Sequence, residues 1–134
     1  MDLFIIAAGF LVSGFTAFAF FKAGTFKLKS AKDQMLAAGF GWLEKLDVSV
    51  AKTIGLLEIL GSIGLILAPI GYLLGFTWAI WFAIAAGIGL VLTMIGAIIV
   101  HARRGESKYT LKMNLRLLGV AALAAGIWAF LTLG

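Results

Sequence analysis

Leu73 to Val100 reads LLGFTWAIWFAIAAGIGLVLTMIGAIIV, 28 residues without Asp, Glu, Lys, Arg or His, followed at once by His101-Ala102-Arg103-Arg104. A helix needs roughly 20 mostly apolar residues to cross ~30 Å of hydrocarbon. This stretch therefore spans a bilayer, with length left over for tilt. Period-2 alternation, the mark of a barrel strand, is absent. Working outward finds three more such segments. Leu3–Phe21 is free of charge; Val50–Ala68 carries Lys52 near its start and Glu58 further in; Leu117–Leu133 is again uncharged, and its helix is expected to begin near Thr110. Lipid tolerates only helices and closed barrels as spanning structures. The fold class is thus all-α: a transmembrane four-helix bundle in one domain over 1–134, with spans at 3–21, 50–68, 73–100 and 111–133.

Composition agrees. The chain is 63% hydrophobic with a mean hydropathy of +1.11, against ~45–50% apolar for soluble domains. In water that surface would form patches that aggregate. No cysteine is present, which excludes a disulfide framework, a Cys-based zinc site and a thiol redox step within this chain. One histidine gives neither a metal site nor two-sided haem ligation. A net charge of +5 invites a nucleic-acid partner, but the aromatic or groove-reading residues that such binding needs are missing, so none is expected. Asp2 is the only charge before the first apolar run; a signal peptide opens on a basic region, so this segment reads as a retained span.

Charge placement sets the orientation. Lys22, Lys27, Lys29, Lys32, Lys45 and Lys52 lie between or at the edges of spans one and two; Arg103, Arg104, Lys108, Lys112 and Arg116 lie between spans three and four. Six and five make eleven, every Lys and Arg in the chain. The positive-inside rule places both loops in the cytoplasm and both termini outside, in a cell or inner membrane. The second basic group is expected to engage anionic lipid head groups and fix topology. Within the first loop, Ser30-Ala31-Lys32-Asp33 reads as an N-cap opening a short interfacial cytoplasmic helix through Met35 and Leu36. Gly39 and Gly41 end it, and Trp42 is an expected interface anchor. Pro69 and Gly71 predict the outer turn.

Glu58 is the most informative residue. It lies about eight residues into its span, ~12 Å deep at 1.5 Å per residue, where an ionisable group costs a few kcal/mol unless paired or hydrated. Helical spacing groups it with Ala51, Gly55 and Ser62, a small-residue face suited to close packing, so it points into the bundle. One reading is a carboxylate pinned to a cation to fix helix register; the other is a site for substrate, proton or partner. His101 shares a face with Gly87, Leu90, Met94 and Ala97, and Asn114 one with Leu118, Ala121 and Ala125. With Lys27 after the first span, His101 and Asn114 sit on the same side as Glu58, and the four form a candidate ligand or partner cluster. Taken singly, they read as an interfacial His, a capping Asn and a snorkelling Lys. No catalytic residue is identified, and the chain is not read as an enzyme on its own.

Three stretches together resemble the DoxX-like family. Ala23-Gly24-Thr25-Phe26-Lys27-Leu28 resembles its "AGxxKL" element, Ile54 to Pro69 (IGLLEILGSIGLILAP) its second-span signature, and Met94 to Glu106 (MIGAIIVHARRGE) its third; Asn114 sits where the family places an Asn. The resemblance implies a four-helix membrane protein, in some bacterial relatives an accessory subunit of membrane oxidoreductases. A quinone is then the cofactor to expect near Glu58 and His101, and the partners are membrane lipids with other membrane subunits or further copies of the chain. Two other functions stay open. Small proton-linked exporters of four helices also carry a membrane glutamate, although in the first span and with weak charge bias. A scaffold or chaperone for other membrane helices would need no ligand.

Overall fold

The computed structural model describes residues 3–104 and 108–133, with the side chains of 108–111 left outside the description. Five helices follow in order: α1 (Leu3–Lys29), α2 (Lys32–Ala37), α3 (Val48–Leu73), α4 (Ile80–Arg103) and α5 (Lys108–Leu133), with single 3₁₀ turns at Gly41–Leu43 and Thr77–Ala79. The chain is all-α, and four of the helices are long and apolar enough to cross a membrane. They close into a ring: α1 packs on α3, α3 on α4, α4 on α5, and α5 back on α1. One end of the ring carries the basic loops and the other carries no Lys or Arg.

Lipid is as apolar as leucine, so burial alone cannot hold such helices together; close packing and interhelical hydrogen bonds do. The sequence supplies small residues where the helices cross. A Cβ added to Gly24 would lie 2.5 Å from the carbonyl oxygen of Gly55, so α1 and α3 touch backbone to backbone. A Cβ on Gly87 would meet that of Ala125 at 2.7 Å, and one on Gly9 the Trp128 ring at 2.7 Å. Trp128 is fully buried; its indole Nε1 donates to Ser13 Oγ at 2.9 Å, and Phe10 packs edge-on against its ring. Phe20, Leu65, Leu90, Met94, Ala121 and Ala124 fill the middle of the ring. The outer face is apolar too: Leu11, Phe18, Leu67, Leu92 and Phe130 are exposed, as side chains that contact lipid must be.

The ends differ from the sequence expectation in three ways. The turn between the second and third spans is not at Pro69–Tyr72. Pro69 is buried inside α3, which runs on to Leu73, because neighbouring helices let a spanning helix keep a proline. Gly75 makes the turn at φ +106°, with Phe76 N–H donating to Gly71 C=O and Gly75 N–H to Tyr72 C=O, the double bond of a helix closed by a left-handed glycine. Secondly, α1 continues past Phe21 to Lys29, carrying Lys27 on the same rigid helix. Thirdly, α2 is capped one residue later than expected: Ala31 is the cap residue, and its N–H donates to the Gln34 carboxamide rather than a Ser30 hydroxyl serving as cap. At the start of α3, Asp47 accepts from Ser49 N–H at 2.8 Å, and that bond holds the Asp47 carboxyl below its ordinary range.

Alanine is favoured over glycine in a helix by ~1 kcal/mol, so the effect of Gly→Ala here reads out packing. Gly14, with nothing within 4 Å of an added Cβ, should tolerate Gly14→Ala with an unchanged or raised unfolding temperature in detergent. Gly24→Ala should lower it, at an overpacking cost of roughly 1–3 kcal/mol. Equal effects at the two positions would contradict the backbone contact.

Candidate functional site

The Gly24–Gly55 crossing builds the site. It brings Lys27, one turn beyond Gly24, onto the small-residue face of α3, where Ala51, Gly55, Glu58 and Ser62 are all buried. Lys27 Nζ donates to Glu58 Oε1 at 2.5 Å. Glu58 is 0% exposed and the Lys27 side chain 12%. A lone carboxylate at that depth is costly, and an ion pair offsets much of the desolvation only when its geometry holds. The α1–α3 contact enforces that geometry. Ser62 Oγ, one turn on, donates to the Glu58 backbone carbonyl at 2.8 Å.

The loop after α2 covers the pair from the basic end. The Phe40 ring lies 5.7 Å from Lys27 Nζ, centroid to nitrogen, a cation–π distance worth roughly 0.5–2 kcal/mol. Phe40 is stacked on Trp42 and edge-on to Phe26. Met35, Leu43 and Ala51 form a small core, against which the half-buried Trp42 packs. Two lysines fasten the loop: Lys32 Nζ donates to Leu46 C=O at 2.6 Å and Lys52 Nζ to Leu28 C=O at 2.7 Å. Sequence reading missed Phe40. The signal was an aromatic pair between glycines, Gly39-Phe40-Gly41-Trp42, close in sequence to the basic end of α1.

Asn114 and His101 are buried on α5 and α4 at 5% and 8% exposure. Register places them along the bundle axis. Trp128 bonds Ser13 across the antiparallel α5–α1 pair, so fourteen residues back along α5 and fourteen forward along α1 set Asn114 level with Lys27. Gly87 meets Ala125 across α4–α5; the same count sets His101 level with residue 111, about one turn nearer the basic end than Asn114. The four candidates therefore occupy the same half of the bundle, but only Lys27 and Glu58 are shown in direct contact. Glu58 Oε2 and Asn114 Nδ2 are among the buried polar atoms with no hydrogen-bond partner among the described residues. One is an acceptor, the other a donor. Arg103, Arg104, Lys112 and Arg116 are exposed at the basic end, while the Lys108 side chain lies outside the described residues.

A groove of about 570 Å³ opens toward lipid between α1 and α3, lined by Gly14, Ala17, Phe18, Phe21, Ser62, Ile63, Ile66 and Leu67. Compared with known proteins, the sequence matches the model of the DoxX-like family over residues 11–125, which includes both members of the ion pair, His101 and Asn114. No curated protein and no solved structure matches.

Removing one partner of a buried pair strands the other's charge, typically at a cost of roughly 3–5 kcal/mol. Glu58→Gln should therefore lower the unfolding temperature in detergent markedly, and Lys27→Met added to it should restore most of the loss. If the double variant is no more stable than Glu58→Gln, the pair is not what holds α1 on α3.

Proposed function

The chain belongs to the DoxX-like family, and on that footing we propose that it is an accessory subunit of a membrane oxidoreductase system that holds a quinone-type head group beside Lys27, Glu58 and Asn114. The observation that carries the reading is the pair of buried polar atoms left with unused hydrogen-bonding capacity. Burying such atoms unpaired costs roughly 1–3 kcal/mol each, and they are of opposite kind. Asn114 Nδ2 is a donor suited to a quinone carbonyl; Glu58 Oε2 is an acceptor suited to a quinol hydroxyl. A ligand with both redox forms uses both atoms. When bound, the quinone supplies the electron-carrying chemistry. The chain's own residues hold its head: Lys27 holds Glu58 in place through one carboxylate oxygen, and Asn114 offers a neutral amide across the bundle. Access runs past Lys27, the only member of the pair with exposed surface.

The site lies toward the basic end, which in this reading faces the cytoplasm, with both termini outside. Complete segregation of Lys and Arg to one end of the bundle, in its two connections and the helix turns beside them, supports that orientation. Arg103 and Arg104 at the end of α4, with Lys108, Lys112 and Arg116 on the first turns of α5, then meet the anionic cytoplasmic leaflet, each worth about 1 kcal/mol near the surface.

Two measurements test the reading. Purified protein in nanodiscs should bind a short-chain quinone, followed by tryptophan quenching or calorimetry. Asn114→Leu, which leaves the ion pair untouched, should weaken that binding about tenfold or more (1.4 kcal/mol per tenfold) while the variant still unfolds cooperatively. Unchanged affinity in Asn114→Leu, or no quinone binding by the wild type, would refute the assignment. For orientation, single cysteines replacing Ser30 and Ser107 should resist an impermeant maleimide in intact cells and react after lysis; labelling of both before lysis reverses the topology.

A further inference from the structure

The groove between α1 and α3 is built differently from the rest of the lipid-facing surface. Its floor is small and buried: Ala17 is 6% and Ser62 2% exposed, and Gly14 has no side chain. Its walls are large and apolar, Phe18 and Phe21 from α1, Ile63 and Leu67 from α3. Among floor residues Ser62 belongs also to the polar face, because its hydroxyl bonds the Glu58 carbonyl. Ser62 thus lies on the groove floor one turn from Glu58 along α3. Direction matters as well. Gly24 lies against Gly55 and Ile59, so antiparallel counting sets Phe21 level with residues 58–62 and Gly14 level with 65–69. In height the groove starts level with Glu58 and runs ~10 Å away from the basic end, toward the other face of the bilayer.

We propose that this groove holds the isoprenoid tail of the ligand whose head lies beside Lys27, Glu58 and Asn114, so that the protein selects an amphiphile of one polar head and one long apolar chain. The inference rests on the head-group reading of the preceding subsection. An amphiphile in a leaflet lies head toward its own water surface and tail toward the bilayer centre, which is the order of site and groove. The volume, about 570 Å³, falls within the ~300–1,000 Å³ of ordinary ligand sites. A water-soluble ligand would have no use for an apolar groove that opens to lipid.

Gly14 gives the test. An added Cβ there meets nothing within 4 Å, so Gly14→Phe fills the groove without disturbing the crossing at Gly24. Gly89 on α4 is equally open and away from the groove, and Gly89→Phe serves as the control. Wild type and both variants in nanodiscs are titrated with a tail-less benzoquinone and with a decyl-tailed analogue carrying a diazirine near the chain end; the crosslinked peptides are then mapped. The expected result is crosslinking to Gly14–Phe21 and Ser62–Leu67, reduced at least fivefold in Gly14→Phe and unchanged in Gly89→Phe, with tail-less affinity equal in all three. Head binding with crosslinks elsewhere, or with crosslinks that Gly14→Phe leaves intact, overturns the groove and leaves the head-group site standing. If neither quinone binds, both fall together.

Discussion

A buried lysine–glutamate pair in lipid is the constraint on which the arrangement of this bundle turns. Lys27 and Glu58 sit on different helices, and either charge alone is costly to hold in hydrocarbon. Their meeting requires α1 and α3 to approach more closely than ordinary side chains allow. Glycines 24 and 55 make that approach, and the extra turns of α1 beyond Phe21 carry Lys27 to the right depth on a rigid support. Fold and site are therefore one problem here: the packing that permits the pair is the packing that closes the ring.

The glycines divide accordingly. Gly9, Gly24, Gly55, Gly61 and Gly87 lie where an added Cβ would collide with a neighbouring helix, whereas Gly14, Gly89, Gly96, Gly119 and Gly126 face open space. The first group lets backbones meet, as membrane helices require in the absence of a hydrophobic drive toward one another. The second group cannot be explained by packing within one copy of the chain. Gly14 is the exception among them, since it forms the floor of a groove that already has walls.

Much of this was legible in the sequence because hydropathy in a membrane protein is a strong signal. Four charge-free or nearly charge-free runs fix four helices, and the i, i+3, i+4 spacing of Ala51, Gly55, Glu58 and Ser62 fixes which face of α3 turns inward. The identity of Glu58's partner was not legible. Lys27, His101 and Asn114 were equal candidates, because choosing among them needs the registers of α1, α4 and α5 against α3, and periodicity determines faces, not offsets between helices. Pro69 misled for a related reason. In water a proline near the end of an apolar run marks a turn, but a bundle in lipid can keep it buried within the helix, and the left-handed glycine at 75 was the true stop. Phe40 was missed because its role depends on a loop folding back over the end of α1, which no periodic pattern records.

The ion pair explains both why the bundle holds and why it is not saturated. Lysine presents point-like donors, and here it engages one oxygen of the carboxylate, leaving the other without a partner among the described residues. A bidentate arginine at position 27 would cover both oxygens and make a better latch. A latch alone would gain from that fork. A surface that must also receive a hydroxyl or other donor gains from the lysine, which fixes the carboxylate by one oxygen and keeps the second available. The buried Asn114 amide fits the same logic, since an aliphatic residue there would remove an unpartnered donor from the core. Structural need accounts for Lys27 meeting Glu58; it does not account for leaving an acceptor and a donor unused in the same half of the bundle, and the proposed head-group site rests on that surplus.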